Sequence, residues 1–276
     1  MHRVQSRLPC AQLRQYVRAY AQREIDGSSV EIVQPMPASL ESIIDFEFEK
    51  TLVVEHLNGT RENTTRTSIV GPGTHLRHCI RLRPPVDSFA IFFQPMGARQ
   101  LFGIPGRALM NQQFACFDVL GQGILRLWHQ LAEDARFDIR VRLVEEYLIG
   151  LAGSALSCTP VMTSARYIFR LRGAIHMGSI ADALSLSVRQ CERRFLDEIG
   201  MTPKRFAGIT RYQMAMDAKI TAPARSWLGI AHEFGYHDQM HMIRDFWRIC
   251  GDSPGKFLLQ LGDMRPEALA LSVLDE

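Results

Sequence analysis

The sequence is poor in the features that mark several large protein classes. Its six cysteines, Cys10, Cys79, Cys116, Cys158, Cys191 and Cys250, are scattered, with no CxxC and no clustered spacing. That excludes a disulfide framework and a structural zinc site, and the expected compartment is the reducing cytoplasm. No apolar stretch approaches the roughly 18–20 residues that a membrane span needs, and residues 1–7 offer no apolar core for a signal peptide, so no membrane association is expected. Neither sign of charge dominates: 32 basic residues stand against 29 acidic ones, a net of +3, which by itself announces no polyanionic partner. GxSxG, P-loop and dinucleotide fingerprints are all missing, so no cofactor is expected and catalysis is the minority hypothesis.

What is present is a globular composition, 46% hydrophobic and 22% charged, over 276 residues. This length suits two domains of roughly 100–150 residues each. The first half mixes two periodicities. Leu13, Tyr16, Val17 and Tyr20 recur at helical spacing and predict a helix across 8–20, whereas 30–33, 42–48, 52–57 and 89–93 read as strands. Alternation in 45–49 puts Asp45, Glu47 and Glu49 on one strand face, expected to be solvated rather than a set of general acids. Turn signals at Pro35-Met36-Pro37, Asn58-Gly59, Gly71-Pro72-Gly73 and Pro84-Pro85 separate the runs. Helical spacing then takes over in 123–131 and 136–151, where Ile139, Leu143, Tyr147 and Leu148 share a face. The fold class is therefore α+β: a mixed, barrel-like domain over 1–150, a small-residue linker at 151–162, an all-α domain at 163–262 and a tail at 263–276.

The second half contains an internal repeat. Arg193 and Arg244, Phe195 and Phe246, Gly200 and Gly251, Pro203 and Pro254, and Phe206 and Phe257 are each 51 residues apart, while Ile180-Ala181 matches Ile230-Ala231 at an offset of 50. In the first copy, Ser179 to Asp182 reads as a capping-box-like start, with Ile180, Ala181 and Leu184 buried. Ser187 with Gln190 offers a second cap, before a helix striped by Val188, Cys191 and Phe195 that ends near Gly200. Arg189, Gln190 and Arg193 are left outside. In the second copy Ile230, Ala231 and Phe234 are buried, Gly235 permits the turn, and Asp238 caps a helix that keeps Met242 and Phe246 inward and Met240, His241, Arg244 and Arg248 outward. Thr202-Pro203 opens a connecting helix to about residue 220, which at 1.5 Å per residue spans about 25 Å. One such pattern is equally a fragment of a helical bundle. Two matched copies on a segment with 14 Lys/Arg against 9 Asp/Glu over 161–260 favour a double helix-turn-helix that enters successive major grooves.

These residues resemble the AraC/XylS family of bacterial transcription regulators. The resemblance covers about 164–261 and is carried by IADALSLSVRQCERRF from Ile180, GMTPKRF from Gly200, IAHEFGY from Ile230, and Asp238 to Phe246 followed by GDSPGKF from Gly251. It implies a seven-helix domain with two helix-turn-helix units bridged by a long helix. By position it puts Arg189, Gln190 and Arg193, then Met240, His241 and Arg244, toward base edges of double-stranded promoter DNA. An arginine can bond guanine O6 and N7 together, and Lys204, Arg205 and Arg248 fall to phosphate. Gly71-Pro72, the strand 89–93 leading into Gln94-Pro95-Met96-Gly97-Ala98, and Leu101 to Pro105 resemble an uncharacterised N-terminal domain of a subset of these regulators. Family precedent makes that domain a sensor for a small-molecule effector or a homodimerisation unit, with RNA polymerase a further partner if the protein activates. His75, His78 and Cys79 prompt a metal reading, but in a strand the two histidines would face opposite ways, and no metal is expected. The alternative class is a DNA-associated enzyme or repair protein with a helix-turn-helix tail.

Overall fold

A computed structural model describes residues 2–26 and 30–261; the expected tail at 263–276 and the last residue of the 163–262 domain lie outside the described residues. The first half holds β1 (His2–Arg7), β2 (Val17–Ile25), β3 (Ile32–Met36), β4 (Ile43–Glu47), β5 (Val53–His56), β6 (Arg61–Asn63), β7 (Thr67–Val70), β8 (His78–Leu82) and β9 (Val86–Phe93). Helices α1 (Gly97–Phe102) and α2 (Gly106–Leu109), strand β10 (Gln113–Ala115), and helices α3 (Cys116–Leu120), α4 (Gln122–Glu133) and α5 (Phe137–Ala152) complete it. The second half is helical: α6 (Pro160–Arg170), α7 (Met177–Ala183), α8 (Val188–Glu198), α9 (Pro203–Thr221), α10 (Trp227–Glu233), α11 (Gln239–Cys250) and α12 (Pro254–Leu261). The α+β class holds, with the strands in a six-stranded sheet ordered β1-β2-β9-β4-β7-β10 and a four-stranded sheet ordered β3-β8-β5-β6.

The large sheet has two unlike faces because side chains alternate along a strand. Tyr20, Ile44, Phe46, Ile69, Phe89, Ile91 and Phe93 form one buried apolar layer with Ile124, Leu127 and Leu131 of α4 and Val141, Val144 and Leu148 of α5. In register on the central strands, Ile44 sits beside Ile91 and Phe46 beside Phe89. The opposite face carries Ala19, Ala21 and Phe92, which cluster separately, together with Arg23, Asp45 and Glu47.

Three expectations need correction here. The helix expected across 8–20 is a turn followed by β2. A bulge between Val17 and Ala19 turns Val17 and Tyr20 to the same side of a strand, and so reproduces a three-residue spacing that reads as helical. Of the acidic stretch, Glu49 is exposed but Glu47 is only 2% exposed. Burial raises the Asp45 carboxyl to about 6 and pushes Glu47 well above the carboxylate range, with Arg23 opposing both shifts. The expected linker at 151–162 is shorter at both ends, since α5 runs to Ala152 and α6 starts at Pro160. Thr159 caps α6 by accepting from Met162 N at 3.1 Å.

The Asp45 environment fixes the sign of a pH effect. The folded state holds this proton more tightly than the unfolded chain does, so its contribution to stability is lost as pH rises from about 4 to about 6. Asp45→Asn is expected to raise the denaturation midpoint at about pH 7 more than at about pH 4.5. An equal gain at both pH values, or a loss at neutral pH, would show that Asp45 is not held protonated by burial.

The two halves share core. Ala38 and Leu40, which follow β3, belong to the same apolar cluster as Phe195, Phe206, Phe246 and Phe257. Leu40 N donates to Gln213 Oε1 on α9 at 3.2 Å, and Leu76 N donates to Ile249 O on α11 at 2.8 Å. A Cβ on Gly106 of α2 would lie 2.5 Å from the Glu198 carbonyl oxygen at the end of α8, so only glycine permits this approach.

Candidate nucleic-acid interface

Each repeat forms two short helices joined by a tight turn. In the first turn Ser185 adopts a left-handed conformation at φ 53°, and in the second Gly235 does so at φ 71°. The helix that follows is capped in both units. Ser187 Oγ accepts from Gln190 N at 3.3 Å while Gln190 Oε1 accepts from Ser187 N at 2.9 Å, a complete capping box. Asp238 Oδ1 accepts from His241 N at 2.6 Å. At the head of the first unit, however, α7 begins at Met177 with His176 as its cap residue, so Ser179 lies inside the first turn and does not cap. Between the units, Thr202 caps α9 with proline at its first position. Its 19 residues extend about 28 Å.

The buried stripe of α8 is Cys191 and Phe195, and that of α11 includes Met242, Phe246 and Ile249. Arg189, Gln190 and Arg193 on α8, and Met240 and Arg244 on α11, are exposed. Two candidates are partly engaged. Gln190 Oε1 also accepts from Ser187 Oγ at 3.0 Å, so a bidentate adenine contact, which needs the amide oxygen as well as the nitrogen, would have to break the cap. His241 is half-buried, packed edge-on against Tyr236 with ring centroids 5.5 Å apart.

Lys204, Arg205, His241, Arg244 and Arg248 line one cleft of about 500 Å³ between α9 and α11; Arg189, Gln190 and Arg193 do not reach it. Two lining residues, Asp245 and Arg211, carried no signal in the sequence. Asp245 is buried and accepts from Arg248 Nη1 at 3.0 Å, with Arg211 Nη2 3.9 Å away. It orients the cations while cancelling part of their charge. Its counterpart 51 residues earlier is Arg194, so the repeat gave no hint of it. Arg205 is half-buried and donates through Nη2 to the Thr74 carbonyl of the first half. Its pKa is pushed down by burial and by Arg248.

His75 lies in the loop before β8, its Nδ1 3.0 Å from Thr74 Oγ1, while His78 is buried in β8, where burial lowers it to about 4. Among the described residues no group of three or more His, Cys, Asp or Glu could hold a metal ion. Among the same residues no helix is long and apolar enough to cross a membrane.

Comparison with known proteins agrees with this geometry. Residues 180–260 match a helix-turn-helix domain family, and residues 5–115 match a domain of unknown function, DUF6597. No curated protein matches the chain. Among solved structures, the chain is similar to ToxT from Vibrio cholerae O395, at 8% identity and a TM-score of 0.50 over 94% of this chain and 98% of that one. It is similar also to ToxT bound to (E)-4-(8-methylnaphthalen-1-yl)but-3-enoic acid, at 7% identity and a TM-score of 0.52 over 95% and 98%. At such identity the likeness concerns the fold. The chain thus carries an AraC-type helix-turn-helix domain, the DNA-binding unit of transcription regulators, over residues 180–260, and a DUF6597 domain over residues 5–115.

Proposed function

We propose that the chain reads two successive major-groove segments of promoter DNA, α8 through Arg189, Arg193 and the amide nitrogen of Gln190, and α11 through Met240, His241 and Arg244. Lys204, Arg205 and Arg248 supply phosphate contacts, that of Arg205 requiring release from Thr74. The observation that carries this reading is the pair Arg193 and Arg244, exposed at equivalent positions on two capped helices held apart by α9. In the same proposal 1–150 is a sensor or dimerisation domain and 163–262 the DNA-binding domain. A small-molecule effector shifts the DNA-competent population by binding one arrangement of the domains better than another. The acid complex of ToxT supports a small-molecule effector for this fold.

Selection of duplexes from a random pool at fixed salt tests the reading. Enrichment of a site with two segments about one helical turn apart is expected. On that site Arg193→Ala and Arg244→Ala should each cost on the order of 1–3 kcal/mol and relax one base pair, while Arg248→Ala should weaken all sequences alike and lower the salt slope by about 1. A pool that yields no enriched sequence would overturn the proposal.

A further inference from the structure

Trp247 on α11 is 53% exposed and Leu196 on α8 is 43% exposed. They stand 51 residues apart, at the offset of the repeat, and each follows the buried phenylalanine of its helix, Phe246 or Phe195. One exposed apolar residue needs no explanation, but the same position left uncovered in both units does. The other tryptophans are engaged: Trp128 Nε1 donates to the Glu47 carbonyl at 3.0 Å, and Trp227 packs edge-on against Phe246 at 5.9 Å. The Trp247 ring makes no hydrogen bond, ring pair or cation–π contact among the described residues.

The place of these side chains on their helices says what covers them. Residues seven apart lie about 20° apart around a helix and about 10.5 Å along it. Trp247 therefore continues the line of Met240, with Arg244 between them, and Leu196 continues that of Arg189, with Arg193 between. Both lines run opposite the buried stripes. When the N-terminal residues of a recognition helix meet base edges, a side chain about 10.5 Å further along the same face has crossed most of a groove about 12 Å wide. It then stands at the strand that walls the groove, which offers phosphates and the carbon-bound faces of deoxyribose. An indole or isobutyl group has no charge to exchange for a phosphate's counterion, but it sheds its own water against a sugar. Arg244 and Arg248 flank Trp247 and can meet the neighbouring phosphates, whereas Leu196 is flanked by Arg193 and Asp197.

We infer that Trp247 packs against deoxyribose on the wall of the major groove entered by α11, and that Leu196 makes a smaller equivalent contact for α8. This hold on DNA is independent of base sequence and releases no counterion. The inference rests on the DNA-reading proposal above and adds two positioning residues to it. Covering the exposed half of an indole removes about 100 Å² from water, enough for at least about a tenfold gain in affinity.

Full-length variants are compared on the selected duplex and on a scrambled one over a range of salt. Trp247→Ala is expected to weaken both duplexes alike by at least about tenfold while the slope of log affinity against log salt stays the same, unlike Arg248→Ala. Trp247→Phe, which keeps a flat ring, should recover most of the loss, and Leu196→Ala should cost less than Trp247→Ala. Acrylamide quenching reads the contact directly: the tryptophan emission absent from Trp247→Phe should become shielded when duplex is added. An unchanged urea midpoint serves as the folding control. Loss confined to the selected duplex, a lowered salt slope, unchanged affinity, or a ring still quenched on the duplex would each overturn the inference, the last two pointing to a protein partner for Trp247. A chain that selects no sequence but binds duplex with Trp247 shielded fails the sequence-reading proposal and leaves this hold standing; a chain that binds no duplex fails both.

Discussion

Phe246→Ala is expected to destabilise the second helix-turn-helix by about 3–5 kcal/mol, and by more than the equivalent Phe195→Ala in the first. Both rings are fully buried, so removal of either one loses the transfer free energy of a phenyl group and leaves a cavity. Phe246 has additional partners. Its ring meets Tyr212 of α9 edge-on at 4.8 Å and Trp227 of α10 at 5.9 Å, whereas Phe195 makes no aromatic pair among the described residues. Each pair adds about 0.5–1.5 kcal/mol beyond burial. The loss falls where α9, α10 and α11 meet, so the DNA contacts of α11 should fail before those of α8. On the selected duplex, protection should shrink to the segment read by α8 while the urea midpoint falls. Equal costs for the two substitutions, or an intact footprint, would show that the core shared by the two units spreads the loss evenly over both.

The contrast between the repeats also shows why the second half was readable in sequence. Its helices are set by local signals: Ser187 with Gln190, Thr202 before Pro203, Asp238, and Gly251 at φ 78°, each acting within a few residues of the turn it ends or begins. Even the misread start at Ser179 moved a boundary by about one turn without changing the unit.

The first half depends on partners that are distant along the chain. The strand pattern of 45–49 identified two faces correctly in period, but nothing local says that the Asp45 and Glu47 face is enclosed. That depends on Arg23 in β2 and on the second sheet. Strands β1, β6 and β10 are short or polar and gave no alternation to read. The contacts that join the halves, Leu76 to Ile249, Leu40 to Gln213 and Thr74 to Arg205, span more than 100 residues each. They explain why Arg205, a phosphate candidate on position alone, is engaged inside the protein.

Arg140→Met should have a comparably large effect on the first half, about 3–5 kcal/mol, because it strands a charge in place of removing a pair. Arg140 is 1% exposed. Its guanidinium forms a bidentate pair with Asp87 of β9, at 2.6 and 2.9 Å. Its Nε donates to the carbonyls of Leu131 and Asp134 at 3.0 and 3.1 Å, which satisfies acceptors at the C-terminal end of α4. The charge also lies 3.7 Å from the centre of the Phe48 ring. One side chain thus ties α4 and α5 to the large sheet. Adding Asp87→Asn to Arg140→Met should recover part of the loss, since the remaining group is then neutral. A cost below about 1 kcal/mol, or no recovery in the double variant, would mean that the pair is solvated. The substitution also tests whether the two halves unfold together. The core of the helical half does not include α4 or α5, so at temperatures where the first half has loosened, duplex binding should persist. Loss of duplex binding at the same temperature would instead show that the shared contacts around Ala38, Leu40 and Leu76 make the two halves a single cooperative unit.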